Sequence, residues 1–528
     1  MQAYNRFKDT KRGAKTIYHA RSGYKQIRVF PEWTSAHAIP LVGRFHRFCS
    51  IFWLAVFLAG LGVVVYMLVE AIKSYKDYKV SVQQTLSFTS YPFPAITICD
   101  LNPYKRDIAY QRPEIKKLMD TYSYALQKSF CTNTTCNVPT NKTLDGYMSD
   151  YQLTGLKSST AINSKVQKLL PVIAAQYDMS AAAAQYDDIL QGCSFNLQDC
   201  QDGDWTKFNS QTMGTCFSYN MKGNKNVTRV GPIYGLRVIA KTNVSQLLPT
   251  SSKGGFRVLV HDQGEYPFPD VYGSDVMIES AASLGVSFTE ISRLGGHYGS
   301  CHDDLPSGYL YTKNYSTEGC MRSEYQAEMV KNCGCYDPTY PAPANASSSS
   351  SDATTDLLNS VDDDSSNSTS TASSNETTTA ASKSSSRIPM CTTDNLACWD
   401  EQLSKTINTN CSQPCHEVSY DTSVSFARWP SGSSSTVGIC MSGDYGNETC
   451  LEMYQENGAL IQVYFEQQSY ETMKELAQYP LSTVFSNFGG QLGLWLGGSL
   501  IMVVEFVLLL VQCTLALCIP SSDKLLGY

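Results

Sequence analysis

The chain has 528 residues, a formal net charge of −7 and 19 cysteines. A net negative charge gives no electrostatic reason to bind nucleic acid, so no nucleic-acid partner is predicted. Two long apolar segments, one near each end of the chain, exclude an ordinary soluble protein and predict a membrane protein.

A basic segment precedes the first apolar segment. Residues 1–48 contain ten Lys and Arg against two acids, and residues 48–69 contain no charged residue. Such an apolar run can cross a hydrocarbon core of roughly 30 Å as a helix, and the basic flank predicts a cytosolic N-terminus. We expect the basic arm to face anionic inner-leaflet lipid. The first span should act as its own insertion signal, because its position and length do not fit a cleavable signal peptide.

The region between the apolar segments has the features of an extracellular domain. Sixteen of the 19 cysteines lie between Cys99 and Cys450, an even number, as an oxidised framework requires. Cys49, Cys513 and Cys518, in or beside the apolar segments, are expected to be free thiols. The same region holds all ten candidate glycosylation sequons: Asn133, Asn141, Asn226, Asn243, Asn314, Asn345, Asn367, Asn375, Asn410 and Asn447.

This region mixes helical and strand patterns. Residues 113–130 predict an amphipathic helix with Pro113 at its start. The Ala-rich residues 165–190 predict two short helices. Strands are predicted at 235–240, 256–261 and 459–466, and two further helices, flanked by cysteines, at 320–332 and 396–407. Residues 345–387 are rich in Ser and Thr and predict a disordered, glycosylated spacer, because they contain too little apolar surface to fold.

The second apolar segment, residues 492–519, contains a single charged residue, Glu505. A carboxylate in the middle of a membrane costs about 3 kcal/mol unless it faces water or a partner. Glu505 therefore favours an ion-conducting pore over a simple membrane anchor. The second crossing returns the short C-terminal tail to the cytosol.

Three small residues, Gly497, Gly498 and Ser499, interrupt this apolar segment. Freed backbone groups in a membrane are tolerated only where protein or water satisfies them. We therefore predict a constriction ringed by carbonyl groups, with Glu505 one or two turns further along. A narrow ring of oxygen atoms favours a small cation, and a ring of carboxylates excludes anions. The alternative is that the small residues only allow helices to pack closely.

Several short motifs occur in a fixed order and, together with this topology, resemble the degenerin/epithelial sodium channel/acid-sensing ion channel superfamily along nearly the whole chain. They are TSAHAIP at 34–40, FPAITICDLN at 93–102, GTCF at 214–217, RVLVHDQ at 257–263, ARWP at 427–430 and SNFGGQLGLWLGGS at 486–499. The last motif opens the second apolar segment and is the most specific of the series.

The resemblance implies a fold class of membrane α-helices plus an extracellular α+β domain. Two transmembrane helices would flank a large, disulfide-rich, hand-like ectodomain with palm, finger and thumb, assembled as a homotrimer. The expected boundaries are a cytosolic segment at 1–47, a first span at 48–70, the ectodomain at 71–485, a second span at 486–519 and a cytosolic tail at 520–528.

The function that the resemblance implies is a sodium-preferring, voltage-independent, amiloride-sensitive cation channel of the plasma membrane. It would assemble with itself or with related subunits, contact membrane lipid and open to an extracellular stimulus such as a peptide or protons. The resemblance places Gly497, Gly498, Ser499 and Glu505 in the selectivity apparatus and the pore. No cofactor beyond the permeant sodium ions and no metal site are expected.

Residues that influence gating are also implied by the resemblance. Ser486 aligns with the degenerin position, where a bulky side chain holds family channels open. The family's His-Gly pair before the first span is His37-Ala38 here, and Ala would lower the open probability if that position needs a positive φ. The family often has a second acid one turn after the pore glutamate, whereas this chain has Leu508, Leu509 and Leu510. Lys79 stands where acid-sensing members carry a histidine, and a lysine keeps its charge throughout the physiological range, which disfavours proton gating of the vertebrate type.

The disulfide pairing is taken from the resemblance, because spacing alone leaves the connectivity open. The implied pairs are Cys99–Cys216, Cys193–Cys200, Cys301–Cys415, Cys320–Cys411, Cys333–Cys398 and Cys335–Cys391. Cys131–Cys136 and Cys440–Cys450 remain, and each pair is close enough in sequence to bond locally. One family thumb bridge is missing at both ends, near Glu324 and Thr409.

Three other interpretations stay open. A trimeric ATP-gated receptor shares the two-span, cysteine-rich plan but needs a cluster of external Lys and Arg. A non-conducting two-span receptor or adhesion protein would not need Glu505. An ectoenzyme is disfavoured, since no spacing assembles a nucleophile with a base. The gating stimulus is not specified. External acids are plentiful, for example Asp262, Glu265, Asp270, Asp303 and Asp304. Two carboxylates brought close together could titrate near neutral pH, whereas most such residues are simply solvated.

Overall fold

The computed structural model describes residues 27, 30, 47–88, 92–131, 138–227, 229–346, 387–405, 411–431 and 450–518. Most of the Ser/Thr-rich insert, residues 347–386, lies outside this part of the chain. So do several residues singled out above: His37, Ala38, Asn133, Cys136, Asn367, Asn375, Thr409, Asn410, Cys440 and Asn447. The described residues form two compact units, one within Met1–Val82 and Glu475–Tyr528 and the other within Gln83–Lys474.

The secondary structure follows the mixed pattern expected from the sequence. The helices are α1 (Arg47–Lys76), α2 (Arg106–Ala109), α3 (Pro113–Phe130), α4 (Lys142–Asp150), α5 (Ser159–Ala174), α6 (Tyr186–Ile189), α7 (Thr317–Cys333), α8 (Leu396–Ser404), α9 (Cys450–Asn457), α10 (Leu481–Leu496) and α11 (Leu500–Cys518). The strands are β1 (Val80–Ser87), β2 (Ala95–Asp100), β3 (Leu190–Phe195), β4 (Gln198–Asp199), β5 (Trp205–Ser210), β6 (Gly214–Tyr219), β7 (Leu236–Lys241), β8 (Gly255–His261), β9 (Ser274–Met277), β10 (Ser280–Ser292), β11 (Cys301–His302), β12 (Gln413–Pro414), β13 (His416–Arg428), β14 (Gly458–Phe465) and β15 (Tyr470–Ala477).

The first unit contains the apolar helices. Within the described residues, Ser50–Lys76 is long and apolar enough to cross a membrane. Helices α10 and α11 pass the same test as one bent pair. Helix α1 continues for six residues beyond the expected end of the first span at residue 70, because a charged helical turn follows the apolar run. Helix α10 begins five residues before the expected second span, directly after Pro480.

Two sheets form the framework of the second unit. The larger has eight strands in the order β1-β15-β10-β14-β7-β3-β4, with β13 also paired to β10. Strand β10 is central, because β13 runs antiparallel to it over 13 residues while β14 and then β15 pair with it in parallel. The smaller sheet has the order β5-β6-β2-β8-β9. The division between the two units falls within β1 and β15.

Two buried clusters hold the second unit together. Strands of both sheets supply one cluster, with Phe93, Tyr219 and Phe256 fully buried. Helices α3, α5 and α7 supply much of the other. Helix α3 has the predicted bounds because Pro113 fits the first turn of a helix, and its apolar face then buries Ile115, Leu118 and related side chains.

Most of the predicted elements are confirmed. The three predicted strands correspond to β7, β8 and β14, each displaced by no more than one residue. The prediction of two short helices within residues 165–190 was partly wrong. Helix α5 begins earlier, at Ser159, and α6 is a single turn that ends at Ile189, because Leu190 starts a strand paired with β7. The two helices flanked by cysteines are α7 and α8; α7 begins earlier than predicted, after Ser316, and α8 ends earlier, at Ser404.

Six disulfides of the second unit lie wholly within the described residues, and they are the six pairs that the resemblance implies. They join Cys99–Cys216, Cys193–Cys200, Cys301–Cys415, Cys320–Cys411, Cys333–Cys398 and Cys335–Cys391. Cys131 and Cys450 are also disulfide-bonded. Their expected partners lie outside the described residues. Cys513 is a free thiol. The bridge Cys333–Cys398 joins α7 to α8, as the cysteines flanking both helices suggested.

Candidate functional site

Helices α1 and α10 pack together in the first unit. A Cβ atom built on Gly60 would lie 3.2 Å from the carbonyl oxygen of Trp495 and 3.5 Å from Cδ2 of Leu496. Val64, one turn further along α1, and Leu496 are buried, whereas most of the apolar side chains of α1 are exposed. The close approach therefore depends on a glycine in α1 and fixes the end of α10 against that helix.

The chain breaks between α10 and α11 at the three residues Gly497, Gly498 and Ser499. Gly497 has φ +62°, in the left-handed region that glycine adopts without strain. The amides of Gly497 and Gly498 donate hydrogen bonds to the carbonyls of Gly493 and Leu492, both at 3.0 Å. These bonds satisfy two acceptors that a helix end would otherwise leave open.

Ser499 then starts the next helix. Its Oγ accepts a hydrogen bond from the Met502 amide at 3.3 Å, which is the usual role of a serine at a helix N-cap. The axes of α10 and α11 differ in direction by 79° across the break. The Gly-Gly-Ser sequence thus ends one helix and begins another within three residues.

The break leaves polar backbone groups in an apolar setting. Among the described residues, no protein donor forms a hydrogen bond with the carbonyl oxygens of Gly497 and Gly498. The predicted interruption therefore exists, and it presents carbonyl oxygens that need water or a cation if the segment lies in a membrane. Close packing and a helix break both occur here, at different residues: Gly60 permits the helix contact, whereas Gly497 and Gly498 form the break.

Glu505 lies in α11, six residues after Ser499, which corresponds to about 9 Å along a helix. Its side chain is half-buried. The side chains around it on α11 are apolar and exposed, including Val504 and Val507. An exposed apolar helix needs lipid or protein to cover it, so the surroundings of Glu505 fit a membrane location.

The N-terminal segment reaches α11 through an aromatic contact that the sequence did not predict. The ring centroids of Phe30 and Phe506 lie 5.0 Å apart, and Phe30 is buried. Phe506 directly follows Glu505, so this contact joins the N-terminal segment to the part of α11 that carries the candidate pore residue. No spacing rule relates residues so far apart in sequence, which explains why sequence reasoning missed the pair.

Three of the remaining residues that were predicted to influence gating or permeation are exposed. Ser486 lies on α10 and is exposed. Lys79 follows the turn after α1, is exposed, and lies 3.4 Å from Asp77. Leu508 is an exposed residue of α11.

The structure brings two of the predicted extracellular acids, Asp262 and Glu265, together with a third. The pKa of Glu265 is raised to about 7, mainly by burial and to a smaller extent by the nearby carboxylates of Asp262 and Glu417. Asp262 accepts a hydrogen bond from the Gly264 amide at 2.9 Å, and Glu417 pairs with Arg293 at 2.7 Å. Glu265 is therefore an extracellular group that titrates near neutral pH.

The other acids have different settings. Asp270 pairs with Arg322 of α7 at 2.7 Å. Asp303 accepts hydrogen bonds from the amides of Cys415 and His416, and Asp304 is exposed. The sequence therefore pointed to external carboxylates as groups that could titrate near neutral pH. It could not show that Glu265 is buried beside like charges while the other acids are paired or solvated.

A neighbouring histidine is excluded as a proton sensor. Burial lowers the pKa of His261 to about 4, so the ring is neutral above that pH. Its Nδ1 lies 2.8 Å from the carbonyl oxygen of Asp262, which can only accept, so Nδ1 carries the proton. Nε2 then accepts a hydrogen bond from the Thr97 hydroxyl at 2.8 Å.

All five described sequon asparagines are exposed: Asn141, Asn226, Asn243, Asn314 and Asn345. Asn141 also caps α4, since its Oδ1 accepts hydrogen bonds from the amides of Thr143 and Leu144. A glycan is attached through Nδ2, so the capping oxygen stays available in a glycosylated chain. Among the described residues, no group of His, Cys, Asp and Glu has a metal-binding arrangement.

The chain is similar to known proteins over most of its length. The chain matches the family model of the amiloride-sensitive sodium channel over residues 30–509. It is 30% identical to the degenerin-like protein asic-2 of Caenorhabditis elegans, over 92% of this chain and 86% of that protein. It is 26% identical to the degenerin del-1 of the same organism, over 94% of this chain and 90% of that protein. The match to the degenerin-like protein unc-105, also from C. elegans, is 33% identical over 68% of this chain but spans only 39% of that protein.

Proposed function

Because the chain belongs to the amiloride-sensitive sodium channel family, which includes the degenerins, and is a cation channel of that type, we propose that it conducts sodium in preference to potassium. The observation that carries this proposal is the break at Gly497–Ser499, where two carbonyl groups receive no hydrogen bond from the described residues, with Glu505 about 9 Å further along α11. A wide aqueous pore or a simple anchor would need neither feature.

The proposed assembly has two spans per chain, α1 and the bent pair α10–α11, with both termini in the cytosol. Family members form multimeric channels, and we propose a trimer of this chain or of related subunits in the plasma membrane. Threefold symmetry would surround one axis with three copies of Glu505 and of the break. We further propose that conduction is independent of voltage, sensitive to amiloride and controlled by an extracellular stimulus, a peptide or protons.

The mechanism of selection follows from the two kinds of oxygen. Carbonyl oxygens at the break can replace part of the hydration shell of a small cation, and a narrow ring favours sodium over a larger ion. A ring of carboxylates at Glu505 would raise the local concentration of cations and exclude anions. The αL conformation of Gly497 and the N-cap at Ser499 fix the separation between the two rings.

The experiment is ion substitution under voltage clamp in cells that express the chain. Because the stimulus is not known, currents are recorded both in the wild type and in Ser486→Trp, which should hold the channel open. We expect the reversal potential to follow external sodium. Glu505→Ala should reduce conductance or sodium preference at equal surface expression, whereas Val504→Ala, an exposed neighbour, should leave both unchanged.

Unchanged conductance and reversal potential in Glu505→Ala would remove this residue from the pore. The absence of current from both the wild type and Ser486→Trp, with the protein at the cell surface, would favour the non-conducting receptor or adhesion protein. The family match already argues against the ATP-gated receptor.

A further inference from the structure

A cavity of about 390 Å³ lies between the later turns of α1 and the middle of α10, within the first unit. Three aromatic side chains line it: Tyr66 of α1, Tyr479 just before α10, and Phe488 of α10. One carboxylate, Glu70 of α1, also lines it, and the apolar wall includes Met67. The cavity is thus separate from the break at Gly497–Ser499 and from Glu505.

This combination of side chains suits a bulky organic cation. The faces of aromatic rings attract a cation without donating hydrogen bonds, and aromatic cages are the established way in which proteins hold quaternary ammonium groups. Glu70 supplies the opposite charge, and apolar groups such as Met67 suit the methyl groups of such a ligand. The volume is within the range of small-molecule sites.

Other ligand classes fit less well. A bare sodium ion needs a close shell of oxygen atoms, whereas this cavity is large, and its polar residues Glu70, Ser74, Asn487 and Gln491 are mixed with aromatic and apolar side chains. An anion would be repelled by the carboxylate of Glu70.

The aromatic and carboxylate groups are reachable from outside, because Tyr66 is 65% exposed and the Glu70 side chain is 49% exposed.

Glu70 already has a cationic neighbour on α1. Lys73 lies 2.9 Å from its carboxylate, one helical turn away, and both side chains are largely exposed. An exposed ion pair of this kind contributes little, so it does not prevent a second cation from approaching the carboxylate. Lys73 instead competes with a ligand cation for the carboxylate of Glu70, so replacing Lys73 by a neutral residue should strengthen ligand binding.

We propose that this cavity binds a quaternary ammonium group of the choline type, carried either by a free molecule or by a phosphatidylcholine headgroup. The proposal does not depend on ion conduction, so its test is a binding measurement. Full-length protein is placed in nanodiscs of phosphatidylglycerol, which contain no choline, and the binding of radiolabelled choline is measured at equilibrium.

We expect saturable binding to the wild type. Tyr66→Leu and Glu70→Gln should each weaken it about tenfold, the effect of losing one cation–π or ionic contact. Tyr66→Phe retains the ring and should bind like the wild type. Tyr75→Leu, on the same helix but outside the cavity, is the matched control. Lys73→Met should strengthen binding, because it removes the competing cation.

Two results would overturn the proposal: no saturable binding to the wild type, or equal affinities in wild type, Tyr66→Leu and Glu70→Gln. Intact assembly of each variant is checked by size-exclusion chromatography, and the contrast between Tyr66→Phe and Tyr66→Leu separates loss of the ring from loss of the fold. Repeating the measurement in phosphatidylcholine nanodiscs assigns the source. Weaker binding of free choline there would identify the lipid headgroup as the occupant, and unchanged binding would identify a free ligand.

Discussion

Asp100 provides a prediction with a defined sign and size. It ends strand β2 and is buried at 7% exposure, immediately after the bridged Cys99. One carboxylate oxygen accepts a hydrogen bond from the Asn102 amide at 2.8 Å, and the other accepts one from the Thr242 hydroxyl at 2.7 Å. The pKa of Asp100 is raised to about 6, because the effect of burial, with a smaller contribution from the charge of Asp188, exceeds the lowering by the two hydrogen bonds.

The sign of the effect on stability follows from this direction. An unfolded aspartate has a pKa near 3.9, so the folded protein binds this proton more tightly than the unfolded chain does. The charged form of Asp100 therefore destabilises the fold above about pH 6, and the penalty disappears as the pH falls towards about 4. A rise in pKa of roughly two units corresponds to about 3 kcal/mol of unfolding free energy. This is opposite to the behaviour of a salt-bridged carboxylate.

The perturbation is Asp100→Asn. The amide oxygen can still accept from the Asn102 amide, and the new NH₂ group can donate to the Thr242 hydroxyl, while the buried charge is removed. We expect the variant to melt at a higher temperature than the wild type near pH 7.5, and the difference to vanish near pH 4. Thermal unfolding of the full-length, disulfide-bonded protein in detergent measures this, with the exposed Asp304→Asn as the control.

The comparison is made between the variant and the wild type at each pH, because other groups also titrate. Glu265, whose pKa is about 7, contributes in the same direction and is unchanged in both proteins. A variant that is less stable than the wild type by the same amount at every pH would refute the reasoning. It would show that the hydrogen bonds of Asp100 outweigh the cost of burying its charge.

Four further predictions concern gating, folding and modification. Ser486→Trp should give a resting current, because bulk on this exposed face of α10 prevents closure; normal closure in patch-clamp recordings would contradict this. Acidification from about pH 7.4 to about 6 should not open the channel through Lys79, so a rapid inward current lost on neutralising Lys79 would refute that argument. Gly497→Asn should retain surface expression and selectivity, whereas Gly497→Val should impair both. The reason is that Asn tolerates the positive φ of this position. A β-branched residue does not, and forcing it into the left-handed conformation costs about 1–2 kcal/mol. Asn141→Gln should lower the melting temperature more than Thr143→Ala, since both remove the sequon but only the first removes the helix cap, worth about 1 kcal/mol; equal losses would exclude the cap.

Local signals explain which parts of the fold could be predicted. Helix α3 has the predicted bounds because proline and an amphipathic period act within the same 18 residues. The Ala-rich segment misled the prediction at its end, where pairing between β3 and β7 overrides helix propensity at Leu190. The disulfide connectivity came from the resemblance, since cysteine spacing alone cannot choose among pairings.

Features that depend on contacts distant in sequence could not be predicted. The cavity between α1 and α10 needs Tyr66 and Phe488 to meet, and they are more than 400 positions apart in the chain. The contact between Phe30 and Phe506 is of the same kind. The pKa of Glu265 is raised first by burial and then by two carboxylates, one of which, Glu417, lies on β13, far away in sequence. In each case the residue type was visible in the sequence but its neighbours were set by tertiary packing.

The break in the second apolar segment could be predicted, because its geometry is determined by the residues at the break itself. Gly497 is needed where the chain turns left-handed, and Ser499 is needed where an N-cap acceptor starts α11. A third glycine in place of Ser499 would allow the turn but would leave the Met502 amide without its side-chain acceptor, so α11 would begin less sharply. The serine therefore does more than supply a small side chain. By fixing where α11 begins, it fixes the distance from the carbonyl groups of Gly497 and Gly498 to Glu505, and the proposed selective pathway needs that distance to be the same in every subunit.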